Sequence, residues 1–206
     1  MGYPVGIADQ ATAMTMVIAT LAALFAREQN GIGQEINISL LGSLVALEAA
    51  EIQSQAMRGF GSPRKDRSEA PNPLVNFYKC ADGKWIVLSM YQADKYWHNL
   101  CNVLGIQDLE NDSRFKYLSD RMQNAKELIE ILDRVFISKI YAEWSTLLEE
   151  SGLIYAPVQT ISEVINDPQV LANNYLVDFE HSQCGNVKVV GFPFSFSETP
   201  LNRDFP

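Results

Sequence analysis

Cysteine and histidine are scarce in this chain, and their scarcity removes whole classes of chemistry. The three cysteines, Cys80, Cys101 and Cys184, are odd in number and lie far apart. They form neither a disulfide framework nor a zinc-ligand spacing, and they read as small buried hydrophobes and free thiols of a cytoplasmic protein. The two histidines, His98 and His181, stand in unrelated contexts, which argues against a His-dependent nucleophilic relay and against a His-rich metal centre. Both read as surface or packing residues, and no metal site is expected. P-loop, strand-associated G-x-G-x-x-G and C-x-x-C patterns are all missing. Basic residues are few as well: 16 Lys and Arg face 25 Asp and Glu, a formal charge of −9. That balance argues against nucleic acid as the principal partner. The chemistry that remains to be weighed is carboxylate chemistry.

What the chain has in quantity is apolar sequence. Hydrophobic residues make up 47% and charged residues 20% of its 206 positions, which is the composition of a folded globular protein. The stretch 10–26 carries no charge, yet it is short for a bilayer and is interrupted by Thr12, Thr15 and Thr20 before Arg27 and Glu28 close it. It predicts a helix over 10–29 that is apolar on nearly every face, buried in protein and not in lipid. Asn30-Gly31 is the expected stop.

Alternation of Ile36, Ile38 and Leu40 with Glu35, Asn37 and Ser39 predicts a half-buried strand. A second helix is expected over about 41–57. The segment RGFGSPRKDRSEAPNP then brings Gly, Pro and charge with little apolar content, so it marks a linker. Beyond it, NFYKCADGKWIVLSM predicts a hairpin turning through Ala81-Asp82-Gly83. Helices are expected near 93–104, 120–137 and 142–151, with short helical pieces near 162–165 and 168–173. A second hairpin turns through Gln183-Cys184-Gly185, and an extended tail follows. Trp85, Trp97, Trp144, Phe77 and Tyr78 fall at positions expected in the core.

The expected fold class is therefore α/β: a helix–strand–helix part (1–58), a linker (59–76), an α+β small domain (77–181), and a hairpin with tail (182–206). The first part is too small to bury its own apolar faces and needs further protein to cover them.

Asp9, in GYPVGIADQATAM, is the acid at the head of the apolar helix. As an N-cap it would accept hydrogen bonds from the first helical amides. The same position keeps a carboxylate charged at the positive helix end, where it can act as a nucleophile toward an activated carbonyl. The two roles are compatible. The linker carries the main basic cluster, Arg58, Arg64, Lys65 and Arg67, interrupted by Asp66. Two readings stand for it, a solvated loop and a site for the phosphates of a nucleotide-bearing ligand.

The order of blocks resembles class III CoA-transferases, the CaiB/BaiF family. GYPVGIADQATAM…LAALFAREQNGIGQEINISLL matches their central signature. ADGKWIVLSM, WHNLCNVLG, DSRF with a following Arg, AEWSTLLEESGLIYAPVQTISEVINDPQV and GFPFSFSETP continue in family order across essentially the whole chain. The resemblance implies that Asp9 is the nucleophile of an acyl-CoA:carboxylate CoA-transferase working through an aspartyl-CoA thioester. Coenzyme A thioester is then a substrate and no cofactor is permanently bound. It also implies a homodimer, interlocked in full-length relatives, with no nucleic acid or membrane partner, and a chain truncated at both ends relative to them.

Racemases of the same family pair the matching Asp with an acid soon after the small-domain strand, where Tyr91 and Gln92 stand here. Gln92 cannot take a proton, which weakens the racemase reading and leaves a racemase-like enzyme as the alternative, with a non-catalytic oligomerisation module as the other. The glycine run of the formyl-CoA branch has no counterpart in RSEAPNPLV, which points to a larger acyl group.

Overall fold

The computed structural model describes residues 6–59, 66–199 and 201, and the chain divides into two units, Met1–Arg64 and Lys65–Pro206. Arg64 and Lys65 lie outside the described residues.

The described residues of the first unit form three helices: α1 (Ile7–Asn30), α2 (Leu40–Leu47) and α3 (Ala49–Arg58). Good helix formers fill α1, and its Thr12 and Thr15 hydroxyls donate to the carbonyls of Ala8 and Ala11 (2.7 and 2.8 Å), so the polar groups are satisfied within the helix. It ends where expected, the Gly31 N–H donating to the Arg27 carbonyl at 2.7 Å. By length and mean hydropathy (1.5) it could cross a membrane, a property that core helices of soluble proteins share.

The helix predicted over 41–57 is two helices. Glu48 (φ −91°, ψ 20°) leaves the helical path between α2 and α3. The strand predicted at 35–40 is absent. The chain there is extended, with Ser39 at φ −134° and ψ 151°, but it pairs with no described residue, and a strand requires a ladder partner. Ser39 serves instead as the N-cap of α2, its Oγ accepting from the Gly42 N–H at 3.0 Å.

No residue of α1 is buried. Met14, Val17, Ile18, Leu21 and Phe25 are each 59–69% exposed, so the helix predicted to be covered on all sides keeps much of its apolar surface uncovered by the described residues of its own unit.

The second unit has a real core. Strands β1 (Val75–Lys79) and β2 (Trp85–Ser89) form the expected hairpin with Phe77 opposite Val87. Gly83, at φ +82°, takes the left-handed position that the tight turn demands. A third antiparallel strand, β3 (Tyr155–Val158), adds to β2 with Val87 opposite Ala156. Nothing in YAPVQT announced it. Pro157 lacks a donor and is tolerated because β3 is an edge.

One face of the sheet (Tyr78, Ile86, Leu88) packs with Leu74 on helices α4 (Ala93–Leu104), α6 (Ala125–Phe136) and α7 (Tyr141–Glu150). Short α5 (Leu118–Gln123) precedes α6, so the helix predicted over 120–137 is broken at Asn124. Tyr78 stacks on Phe136 (5.0 Å between centroids), and Phe136 meets Trp144 at 5.2 Å. The polar tips are satisfied: Tyr78 Oη donates to the Pro73 carbonyl (2.7 Å) and Trp144 Nε1 to that of Phe136 (2.9 Å).

Trp97, Trp144 and Tyr78 are core residues as expected, whereas Phe77 is 47% exposed and Trp85 half-buried. Period-two alternation puts Phe77 on the outer face of β1. The chain continues through α8 (Ile161–Val164) and α9 (Pro168–Ala172) to the hairpin β4 (Leu176–His181) and β5 (Gly185–Val190). Exposed His181 closes that turn, its Nδ1 accepting from the Gln183 and Cys184 N–H groups. His98, also exposed, pairs with Glu110 at 2.8 Å.

Burial pushes the Cys80 thiol up to about 11 and the Cys101 thiol up to about 12, with Asp82 and Glu110 adding to the effect. Cys184 is exposed. At pH 8 a disulfide thiol reagent should therefore modify Cys184 alone in the native chain and all three thiols in denaturant. Rapid native modification of Cys80 or Cys101 would contradict this core.

Candidate active site

The first turn of α1 is built around a glycine. Gly6 occupies the N-cap with φ 80° and ψ 17°, a left-handed conformation that a side chain would strain. Its carbonyl accepts the first helical bond, from the Gln10 N–H at 2.9 Å. Ile7 and Ala8 follow, and Asp9 is the third helical residue, so the expected capping role belongs to Gly6 by position and no side chain caps the helix.

The Asp9 carboxylate folds back toward the glycine. A Cβ added at Gly6 would meet Asp9 Oδ2 at 3.6 Å, so the missing side chain leaves room beside the carboxylate. Asp9 is exposed, and among the described residues it forms no hydrogen bond or ion pair. Its negative charge lies at the end of α1 where the helix dipole favours an anion. Chemically this is a carboxylate on a helical support, without a partner among the described residues. A cleft of about 280 Å³ lies further along α1, between Thr15, Ala19, the extended residues Ile36, Asn37 and Ser39, and Ser43 of α2. The Gly three residues before the Asp was the available sequence signal for this arrangement.

The basic cluster is divided between the two units. Arg58 is the last residue of α3, exposed and without an ion pair among the described residues. Arg67 lies in the second unit, where it is not a solvated loop residue. Its Nη1 and Nη2 donate to the two Asp133 oxygens of α6 (3.0 and 2.5 Å), and its Nε donates to the Phe77 carbonyl (2.9 Å). The guanidinium also lies 5.5 Å from the Tyr78 ring and 5.7 Å from that of Trp85. It is a clasp joining the turn at Arg67–Glu69 to β1 and α6, with three of five donors engaged. Tyr91 and Gln92, which follow β2, are exposed, and Gln92 is the N-cap of α4.

The whole chain, residues 1–206, matches the family model described as CoA-transferase family III. It is 27% identical over 98% of its length to (R)-2-hydroxy-4-methylpentanoate CoA-transferase of Clostridioides difficile. It is 29% identical over the same share to succinyl-CoA:glutarate CoA-transferase of Homo sapiens. It covers 50% and 46% of those two proteins, and so spans about half the length of the curated relatives it matches. In fold it is similar to a crystal structure of a CaiB/BaiF family protein from Brucella suis, with a TM-score of 0.83 at 24% identity, covering 98% of this chain and 52% of that one. With the family model matched from end to end, the chain belongs to CoA-transferase family III.

Proposed function

We propose that this chain carries the nucleophile of an acyl-CoA:carboxylate CoA-transferase and that Asp9 is that nucleophile. The observation that supports it best is a carboxylate in the first turn of α1 with no partner among the described residues, beside a cap residue with no side chain, in a chain of this family.

An Asp9 oxygen attacks the thioester carbonyl of the donor, forming a mixed anhydride as the carbon–sulfur bond breaks and the CoA thiolate departs. The thiolate attacks the Asp9 carbonyl carbon, releasing the donor acid as its carboxylate and leaving an aspartyl-CoA thioester. The acceptor carboxylate then attacks that thioester, giving a second anhydride and thiolate. Attack of the thiolate on the acceptor carbonyl yields the new acyl-CoA and restores the Asp9 carboxylate. Each step exchanges one acyl bond for another and needs no redox partner.

The anhydrides must be kept from water. Asp9 is exposed and no residue of α1 is buried among the described residues, so in this reading further protein closes over α1, and the working form is a homodimer. Arg58, with Arg64 and Lys65, serves the CoA phosphates, while Arg67 is occupied by Asp133. The substrates are carboxylic acids larger than formate or oxalate.

The decisive experiment is trapping. Incubation with an acyl-CoA donor, succinyl-CoA as probe, followed by hydroxylamine should convert Asp9 to its hydroxamate, seen by peptide mass. Unmodified Asp9, whether or not CoA thiol is released, overturns the assignment.

A further inference from the structure

The second unit carries a site that the transfer chemistry does not use. Lys79 at the end of β1, Trp85 at the start of β2, and Asp133, Arg134 and Ile137 of α6 and its end join Arg67 around a cavity of about 370 Å³. Three cations face one carboxylate there, in a chain whose formal charge is −9.

The carboxylate is not free to neutralise them all. Both Asp133 oxygens are taken by Arg67, which leaves Lys79 and Arg134, both exposed, with no ion-pair partner among the described residues. The same clasp fixes the Arg67 guanidinium against Asp133 and the Phe77 carbonyl, so the cations left to meet a ligand are Lys79 and Arg134. Trp85 and Ile137, the latter 50% exposed, give the cavity an apolar wall. Two exposed cations beside an aromatic and an aliphatic surface suit a ligand with a phosphate at one end and a ring at the other. The volume falls in the range of small-molecule sites.

We infer that this cavity binds a phosphorylated nucleoside, a nucleoside diphosphate in size, with its phosphates on Lys79 and Arg134 and its ring against Trp85 and Ile137. The site belongs to the second unit alone and does not depend on Asp9.

The structure supplies its own reporter. Trp97 and Trp144 are 3% and 1% exposed, so a ligand added to the intact chain perturbs Trp85 most directly. ADP should change tryptophan fluorescence saturably below about 1 mM, pyrophosphate should bind about tenfold more weakly, and adenosine should give no saturable change. The double variant K79A/R134A alters two exposed side chains, so its circular dichroism should match the parent while ADP affinity falls about tenfold or more. Failure of ADP to saturate, or unchanged ADP affinity in K79A/R134A, overturns the site. Equal binding of pyrophosphate and ADP overturns the nucleoside assignment.

Discussion

Asp9→Asn is expected to lower CoA transfer by a factor on the order of 10⁴ while leaving the fold unchanged. An amide at this position has almost the shape of the carboxylate but no anionic oxygen to attack a thioester. The fold is expected to survive because Asp9 is exposed, caps nothing and holds no hydrogen bond among the described residues. Asp9→Glu separates positioning from charge. It keeps the anion but moves it by one methylene, and a displacement of that size costs about 10²-fold in a site that depends on aim. The expected order of rates is therefore Asp9, then Glu, then Asn. Initial rates of CoA exchange between an acyl-CoA and a carboxylate, with circular dichroism as the control for folding, give the answer. Turnover by the Asn variant at the parental rate would remove Asp9 from the chemistry.

The features legible in the sequence were those carried by local pattern. The turn through Gly83, the stop at Gly31 and the helical spacing of Trp97, Leu100 and Leu104 each depend on residues close in the chain, and each is present. The unburied surface of α1 was legible too, because a helix apolar on every face has no self-contained solution in a unit whose described residues add two short helices.

Non-local features were not legible. The 35–40 segment has the alternation of a strand, but alternation reports a face and not a partner, and no described residue of that unit supplies one. Arg67 read as one charge among several in a linker, since nothing in the sequence tells that Asp133, 66 positions away, receives it. The cap at Gly6 was masked by the strong preference of Asp for the neighbouring role. Trp85 and Phe77 read as core because β-rich runs are half-buried on average, and only the register of β1 against β2 decides which residues face outward.

Arg121 was likewise visible only as the Arg that follows DSRF, yet it is among the largest fully buried side chains of the molecule. Its Nη1 donates to the carbonyls of Phe115 and Lys116 (2.7 and 3.1 Å), its Nη2 to Asp94, and its guanidinium lies 4.8 Å from the Trp97 ring. One group thereby ties α4 to the turn before α5. Arg121→Ala leaves a cavity against Trp97 and two carbonyls without their donor, and should destabilise the second unit by about 3–4 kcal/mol.

Arg121→Met should cost less, about 1–2 kcal/mol, because it refills the space and removes a buried charge whose Nε has no partner among the described residues. Asp94 is 57% exposed at its side chain and returns to water in either variant, so it adds little to the loss. Tryptophan fluorescence in urea isolates the effect, since Trp85, Trp97 and Trp144 all lie in this unit. A midpoint for Arg121→Ala equal to the parent, or a Met variant less stable than the Ala variant, would show that the arginine is held by the fold without holding it.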